Sequence, residues 1–364
     1  MNYLSKLGLG IIFVFLISQE INAQSNMLNS IDTLSKAYKK KIKKKNKILP
    51  VALPVTEPAV GVGLVGGLIY FIQKKDSLGK ADMIGGAAGI TTNGTWFAGG
   101  GYVGYWKNDK IRYTGASGYG SVTLDYYGLG PDHPITFEQN IFFFSQEMKF
   151  RMGESNFFLG GKYSLSKITV PQDINEPTEI DPEDFEFWNS GVSLISEYDN
   201  LNNSLSPTKG IKFHMSYTQN LELLGSNRDW GKLIFYSHLY FQVDEKWISA
   251  FRVESNVSSG SPPFYAYPYV NLRGIPALRY QGRFTVLAET QQTYNFLPRW
   301  GVVGFAGIGT AIRSVEDFDN NQFVWNAGGG TRYLLMKDLG LKIGVDAARG
   351  PEDWAFYVVI GSAW

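Results

Sequence analysis

The strongest constraint on this chain is an alternation with a period of two. From Ile48 onward, short segments switch between apolar and polar at successive residues and are separated by turn-forming residues. "WISAFRVESNV" puts Trp247, Ser249, Phe251, Val253 and Val257 on one face and Arg252, Glu254 and Asn256 on the other. "RFTVLAETQQTYNF" separates Phe284, Val286, Ala288, Tyr294 and Phe296 from Thr285, Glu289, Gln291, Thr293 and Asn295. "QFVWNAGGGTRYLL" sets Phe323, Trp325, Ala327, Tyr333 and Leu335 against Asn326 and Arg332. "LGLKIGVDA" sets Leu341, Ile343 and Val345 against Lys342 and Asp346. Each segment runs roughly 10 to 15 residues, long enough for a strand to cross a bilayer.

Such alternation serves two architectures. A soluble sandwich turns its apolar face inward. A transmembrane β-barrel turns it out to lipid and keeps polar side chains in the lumen. The barrel is favoured by aromatic residues at segment ends (Trp96, Tyr105, Trp106, Tyr126, Tyr127, Trp300, Trp354 and Trp364), as a girdle at the membrane surface requires. Glycine-rich strands such as "MIGGAAGI" and "FAGGGYVGYW" fit sharply curved, crowded walls. The chain also ends on an aromatic, with "WAFYVVIGSAW" placing Phe356, Val358, Ile360 and Trp364 on one face.

The N-terminus agrees. Lys6 precedes the apolar run Leu7 to Ser18, and Ala23 supplies a small residue at a cleavage boundary. This is the layout of a secretory signal peptide, which we expect to occupy residues 1–23. Its apolar run is too short for a membrane-spanning helix, and no later segment offers one. Residues 24–46 are expected to form a basic N-terminal tether, either solvated or lying on anionic lipid as a short amphipathic helix. A chain with no cysteine can hold no disulfide or thiolate site. A net charge of +1 offers no basic face for nucleic acid.

Ten strand-like segments precede the loop at 271–282, with five more near 283–296, 299–313, 322–336, 339–348 and 353–364. An even number is expected, and "KILPVALPV", residues 47–55, is the best missing strand. The expectation is an all-β fold: a sixteen-stranded antiparallel transmembrane β-barrel over residues 47–364, with a loop inserted into its lumen. Pro50 and Pro54 cannot donate ladder hydrogen bonds, so the seam between first and last strands should be weak.

The loop itself, "NLRGIPALRYQG", carries the clearest motif. "NLRGIPALRYQGRFTVLAE" is similar to the loop and following strand of BamA/TamA-type outer-membrane barrels, the bacterial surface antigen family. Leu272-Arg273-Gly274-Ile275 matches an Arg-Gly pair preceded by an aliphatic, with Ile275 in the place of an aromatic. Upstream, "YDNLNNSLSPTKG" resembles a family turn motif at Asp199, Asn203, Pro207, Thr208 and Gly210; Leu201 and Asn202 replace the family's Arg and Asp. The terminal "FYVVIGSAW" is similar to the family's assembly signal, here Phe356, Ile360 and Trp364. The resemblance implies a lumen-inserted loop whose Arg273 meets acids on nearby strands, in a short form lacking periplasmic domains. Glu289, on the polar face of the next strand, is the expected partner; the family's second acid is replaced by Gly307, and Asp346 is a candidate substitute.

These readings point to protein insertion or export, or lipid handling, at the bacterial outer membrane through a weak seam between first and last strands. Partners would be outer-membrane lipid and client proteins. The alternative is a passive channel or porin for small solutes. An enzyme is disfavoured: the histidines are His133, His214 and His238, and spacing places no serine and acid beside them. We expect no metal and no cofactor; the acidic run Glu179 to Phe187 has irregular spacing for a calcium loop and reads as solvated.

Overall fold

The computed structural model describes residues 46–364 except 56–61, 74–80, 127–134, 171–184, 314–322, 338 and 353. The expected signal peptide and nearly all of the tether, with His133 and Glu179 to Glu183, lie outside the described residues. The strands are β1 (Lys47–Val55), β2 (Gly63–Gln73), β3 (Ala81–Thr91), β4 (Trp96–Trp106), β5 (Ile111–Tyr126), β6 (Ile135–Arg151), β7 (Phe157–Thr169) and β8 (Glu186–Asp199). They continue as β9 (Gly210–Asn220), β10 (Trp230–Gln242), β11 (Trp247–Gly260), β12 (Phe284–Tyr294), β13 (Trp300–Ile312), β14 (Phe323–Met336), β15 (Leu341–Arg349) and β16 (Trp354–Ile360). Among the described residues these form one 16-stranded sheet in sequence order, every neighbouring pair antiparallel. Residues 47–55 are therefore a strand despite their prolines. The connections 107–110, 152–156 and 243–246 sit at one end of the barrel, and the longer 261–283 at the other.

The two faces sort as a membrane barrel requires. Leu194 is 71% exposed and Leu68 59%, while Glu197, Glu289, Asp346 and Arg332 point inward and are buried. Exposed Trp96, Trp247, Trp300 and Trp354 mark strand ends. Two residues expected in that girdle are elsewhere. Tyr105 is buried inside, because it shares parity with inward Val103, and Trp364 turns into the lumen.

One expectation is corrected in part: the lumen is not polar all round. Most inward positions of β1 to β4 are apolar, including Leu49, Val51, Val65, Ile69, Phe71, Met83 and Val103. Several of these join Leu205, Leu339, Leu341 and Ile360 in one buried cluster. These strands are apolar on both faces, so period-two contrast is weakest there.

The seam lies beside this cluster. The ladder order ends at β1 and β16, which lie side by side with no ladder pair between them among the described residues. β16 has 7 residues and pairs with β15 from Ile343↔Ile360 to Arg349↔Trp354. Pro50 and Pro54 are four apart, so their missing donors fall on the same edge of β1.

The outward apolar band gives the first prediction. Leu194→Arg places a charge on the lipid face and should destabilise the barrel by about 2–4 kcal/mol, measured by denaturant unfolding in lipid. A neutral result would contradict the assignment of that face to hydrocarbon.

Candidate functional site

The loop from β11 to β12 is long because it crosses the lumen. It leaves β11 at Gly260 and turns through Phe264–Ala266. Phe264, Tyr265, Ala266 and Leu278 are buried in one cluster with Val122 of β5, Ile141 of β6, Ile168 of β7, Phe187 of β8 and Trp230 of β10. Tyr269 bridges Gln281, Val270 N–H donates to the Tyr280 carbonyl (3.0 Å), and Gly282 N–H to that of Pro268 (2.9 Å). The loop is thus pinched at its base and presents Asn271 to Arg279 as a tip. Leu272 and Ile275 are buried with Leu287 of β12 and Val324 of β14.

Arg273 leaves this tip toward two carboxylates. Its Nε donates to Glu289 Oε1 (3.1 Å), and its Nη1 to Gln291 Oε1 (3.0 Å) and Asp346 Oδ2 (2.9 Å). The guanidinium carbon lies 3.4 Å from the centroid of the Phe305 ring. Each acid has a second cation. Arg252 Nη2 is 3.2 Å from Glu289 Oε2, and Arg332 pairs with Asp346 through both nitrogens, Nη2 to Oδ2 at 2.9 Å. Asn326 Nδ2 donates to Glu289 Oε1 (3.0 Å) and to the Arg273 carbonyl (2.9 Å). Arg252, Glu289, Arg273, Asp346 and Arg332 thus alternate in sign through a buried row. Buried charges of this kind persist only when paired and hydrogen-bonded.

Strand register explains the arrangement. Arg252 pairs with Glu289, Glu289 with Gly307, and Gly307 with Asn326, so one row crosses β11 to β14. A Cβ at Gly307 would stand 2.6 Å from Asn326 Oδ1 and 3.0 Å from Leu272 Cδ2. Glycine there makes room for the loop tip, and the second carboxylate comes from β15 as Asp346. Gly274 is constrained twice: φ is 83°, and a Cβ would lie 3.0 Å from the backbone of Arg349 and Gly350. Its N–H donates to Tyr357 Oη of β16 (2.9 Å). Glu352, in the β15–β16 turn, accepts from Arg279 Nε (3.2 Å) and from the Tyr280 hydroxyl. The tip therefore grips β11 to β16.

The turn-motif residues lie at the opposite end. Asp199 Oδ2 accepts from Arg112 Nη1 (2.8 Å), and Asn203 Oδ1 accepts from the N–H groups of Leu205 and Ser206. Asn202 Oδ1 accepts from the Thr208 and Lys209 N–H groups. Pro207 is buried, and Gly210 takes φ 115°. Asn203 Nδ2 reaches the Leu339 carbonyl at 3.2 Å, a residue that precedes β15.

The C-terminal residues do not share one face. Phe356 is 58% exposed to the outside, Ile360 is buried in the seam cluster, and Trp364 packs inside against His238 and Tyr240. Gly361, at φ 83°, ends the alternation. The Tyr240 hydroxyl is 2.9 Å from Ser362 Oγ and donates to the Trp364 carbonyl (3.1 Å).

A second buried charge cluster was missed by sequence reasoning. Arg112 pairs with Asp109, Glu197 and Asp199, while Lys149 Nζ (2.9 Å) and His214 Nδ1 (3.2 Å) meet Glu197. Arg112 lies 3.7 Å over Phe158, which is fully buried. The available signal was inward parity alone: Arg112, Lys149, Glu197 and Lys212 each fall on the polar side of a strand.

Comparison with known proteins gives context to this geometry. Residues 92–268 match the Omp85 superfamily domain, which includes the turn motif and ends before Leu272. In fold the chain is similar to BamA from Haemophilus ducreyi lacking POTRA domains 1-3, at TM-score 0.56 and 14% identity over 87% of this chain and 70% of that one. It is also similar to CdiB from Escherichia coli (TM-score 0.61, 11% identity, 86% and 62% covered) and CdiB from Acinetobacter baumannii (0.59, 10%, 86% and 59%). The chain spans less than two thirds of each CdiB chain. No curated protein matches it in sequence.

Arg273→Ala strips both acids of a shared partner and should cost about 3–5 kcal/mol, read from the unfolding midpoint in lipid. Arg273→Lys should recover little, because an ammonium cannot serve three acceptors and stack on Phe305 at once. A loss below about 1 kcal/mol, typical of exposed pairs, would contradict a buried clamp.

Proposed function

We propose, on the premise that this barrel is built around an Omp85 superfamily domain, that it inserts or exports proteins at the bacterial outer membrane through its β1–β16 seam. The observation that carries this reading is that, among the described residues, two adjacent edges have no ladder pairing between them. In hydrocarbon an unpaired backbone N–H or C=O costs several kcal/mol. An incoming strand can satisfy those groups by adding to the edge.

The two sides of the seam differ in stiffness. The loop tip ties β11 to β15 through charged hydrogen bonds and reaches β16 through Gly274 N–H on the Tyr357 hydroxyl, so β16 is backed by a braced wall. The β1–β4 wall is glycine-rich and packs through apolar side chains. A rigid edge beside a compliant one suits templating: the first sets register, and the second yields. Within this reading Leu272, Arg273, Gly274 and Ile275 are bracing residues with Glu289 and Asp346, and the clients are strand-forming proteins. The signal peptide delivers the chain, with the long loops outside and the short turns facing the periplasm.

The passive-channel alternative is disfavoured by the chain inside the lumen. The loop core reaches β5 to β8, and Trp364 reaches β10. A channel reading predicts steady conductance in planar bilayers; an occluded barrel predicts little, rising when 271–282 is deleted.

The absence of native cysteine makes the seam directly testable. Cysteine pairs joining β1 to β16 should abolish assisted folding of a test barrel in liposomes, and reduction should restore it. Full activity with the seam locked would reject the proposal.

A further inference from the structure

We infer that the β8–β9 connection, residues 200–209, is a clasp that holds the two edges of the seam together from the short-turn end. The inference rests on the seam reading above and adds a control element to it.

The connection does not stay at its own place on the wall. β8–β9 and β14–β15 are six strand positions apart, about 29 Å of perimeter at ~4.8 Å per strand. Yet Asn203 Nδ2 donates to the Leu339 carbonyl at 3.2 Å, and a Cβ on neighbouring Gly340 would sit 2.6 Å from that amide. The segment must therefore span the mouth of the barrel. Its own side chains stiffen it for the crossing. Asn200 accepts from Ile211 N–H (2.6 Å), Asn202 from Thr208 and Lys209, and Asn203 from Leu205 and Ser206. Its root is anchored where Asp199 meets buried Arg112.

The strap carries two buried leucines with different destinations. Leu201 packs with Tyr240, Ala250 and Trp364, and so holds the tail that follows β16. Leu205 enters the cluster that contains Leu49 and Val51 of β1, Leu341 of β15 and Ile360 of β16. With no ladder across the seam, this apolar cluster is what the described residues offer to join its flanks. Side-chain packing of this kind is non-directional and can part without leaving polar groups unpaired, unlike a ladder. The arrangement suits a seam that must close reversibly.

The test uses spin labels at Ile48→Cys on β1 and Phe356→Cys on β16, both outward-facing, with electron paramagnetic resonance distances in lipid. Leu205→Ala and Asn203→Ala should each lengthen and broaden that distance, raising the open population about tenfold or more for the leucine. A disulfide between Asn203→Cys and Leu339→Cys should narrow it. Heat-modifiable gel mobility reports folding; if Leu205→Ala does not fold, Asn203→Ala and the disulfide still decide. Unchanged distances in folded variants would overturn the clasp. The two proposals fail separately: a locked seam that still inserts clients rejects the function but not the clasp, whereas unmoved labels reject the clasp alone.

Discussion

A bilayer offers no water to a peptide bond, and the rest of this structure answers to that fact. Every strand interior must find a neighbour, so the sheet runs in sequence order around a lumen and hides its polar side chains there. Where the ladder stops among the described residues, between β1 and β16, the same demand falls on two adjacent strand edges. The interest of the molecule lies in how that gap is bordered rather than in how the wall is built.

Inside, the borders are held by chemistry of two kinds. Charge and hydrogen bonds concentrate along β11 to β16, where Arg273 sits between Glu289 and Asp346. A second ionic cluster around Arg112 and Glu197 stiffens β5 to β9. β1 to β4 are held instead by contacts among Leu49, Ile69, Phe71 and Met83. Ionic rows demand fixed geometry, since each displaced group leaves a buried charge exposed to low dielectric. Apolar contacts tolerate sliding. The barrel thus divides into a stiff arc and a soft one, and the open edge falls where they meet.

The wall was legible because lipid enforces contrast on alternate residues. Trp247, Phe251 and Val253 against Arg252 and Glu254 read as two faces before any coordinates, and the strand count followed. Pairing of Arg273 with Glu289 was readable from parity plus one loop motif. Three things were not. Leu49, Val51 and Ile69 are apolar yet point inward, because Leu205 of the strap and Leu339 and Leu341 bring apolar partners into that part of the lumen. Trp364 broke the face predicted for it, since Gly361 redirects the backbone after the last strand, and Ile360, at the end of β16, is buried against Leu49, Val51 and Leu205. The Arg112–Glu197 cluster joins residues 85 apart, and spacing along the chain carries no record of such a meeting. Periodicity reports which side of a wall a residue occupies, not what crosses the space behind it.

Taking the second carboxylate from β15 as Asp346, with Gly307 on β13, changes when the clamp can be made. Arg273 and Asp346 are 73 residues apart, and Tyr357 and Glu352 come later still than Asp346. Full docking of the tip therefore has to wait for the final hairpin to be delivered and paired. Arg273 can meet Glu289 and Gln291 on the very next strand, but its second carboxylate arrives only with β15, so completion of the clamp reports pairing at the far end of the sheet.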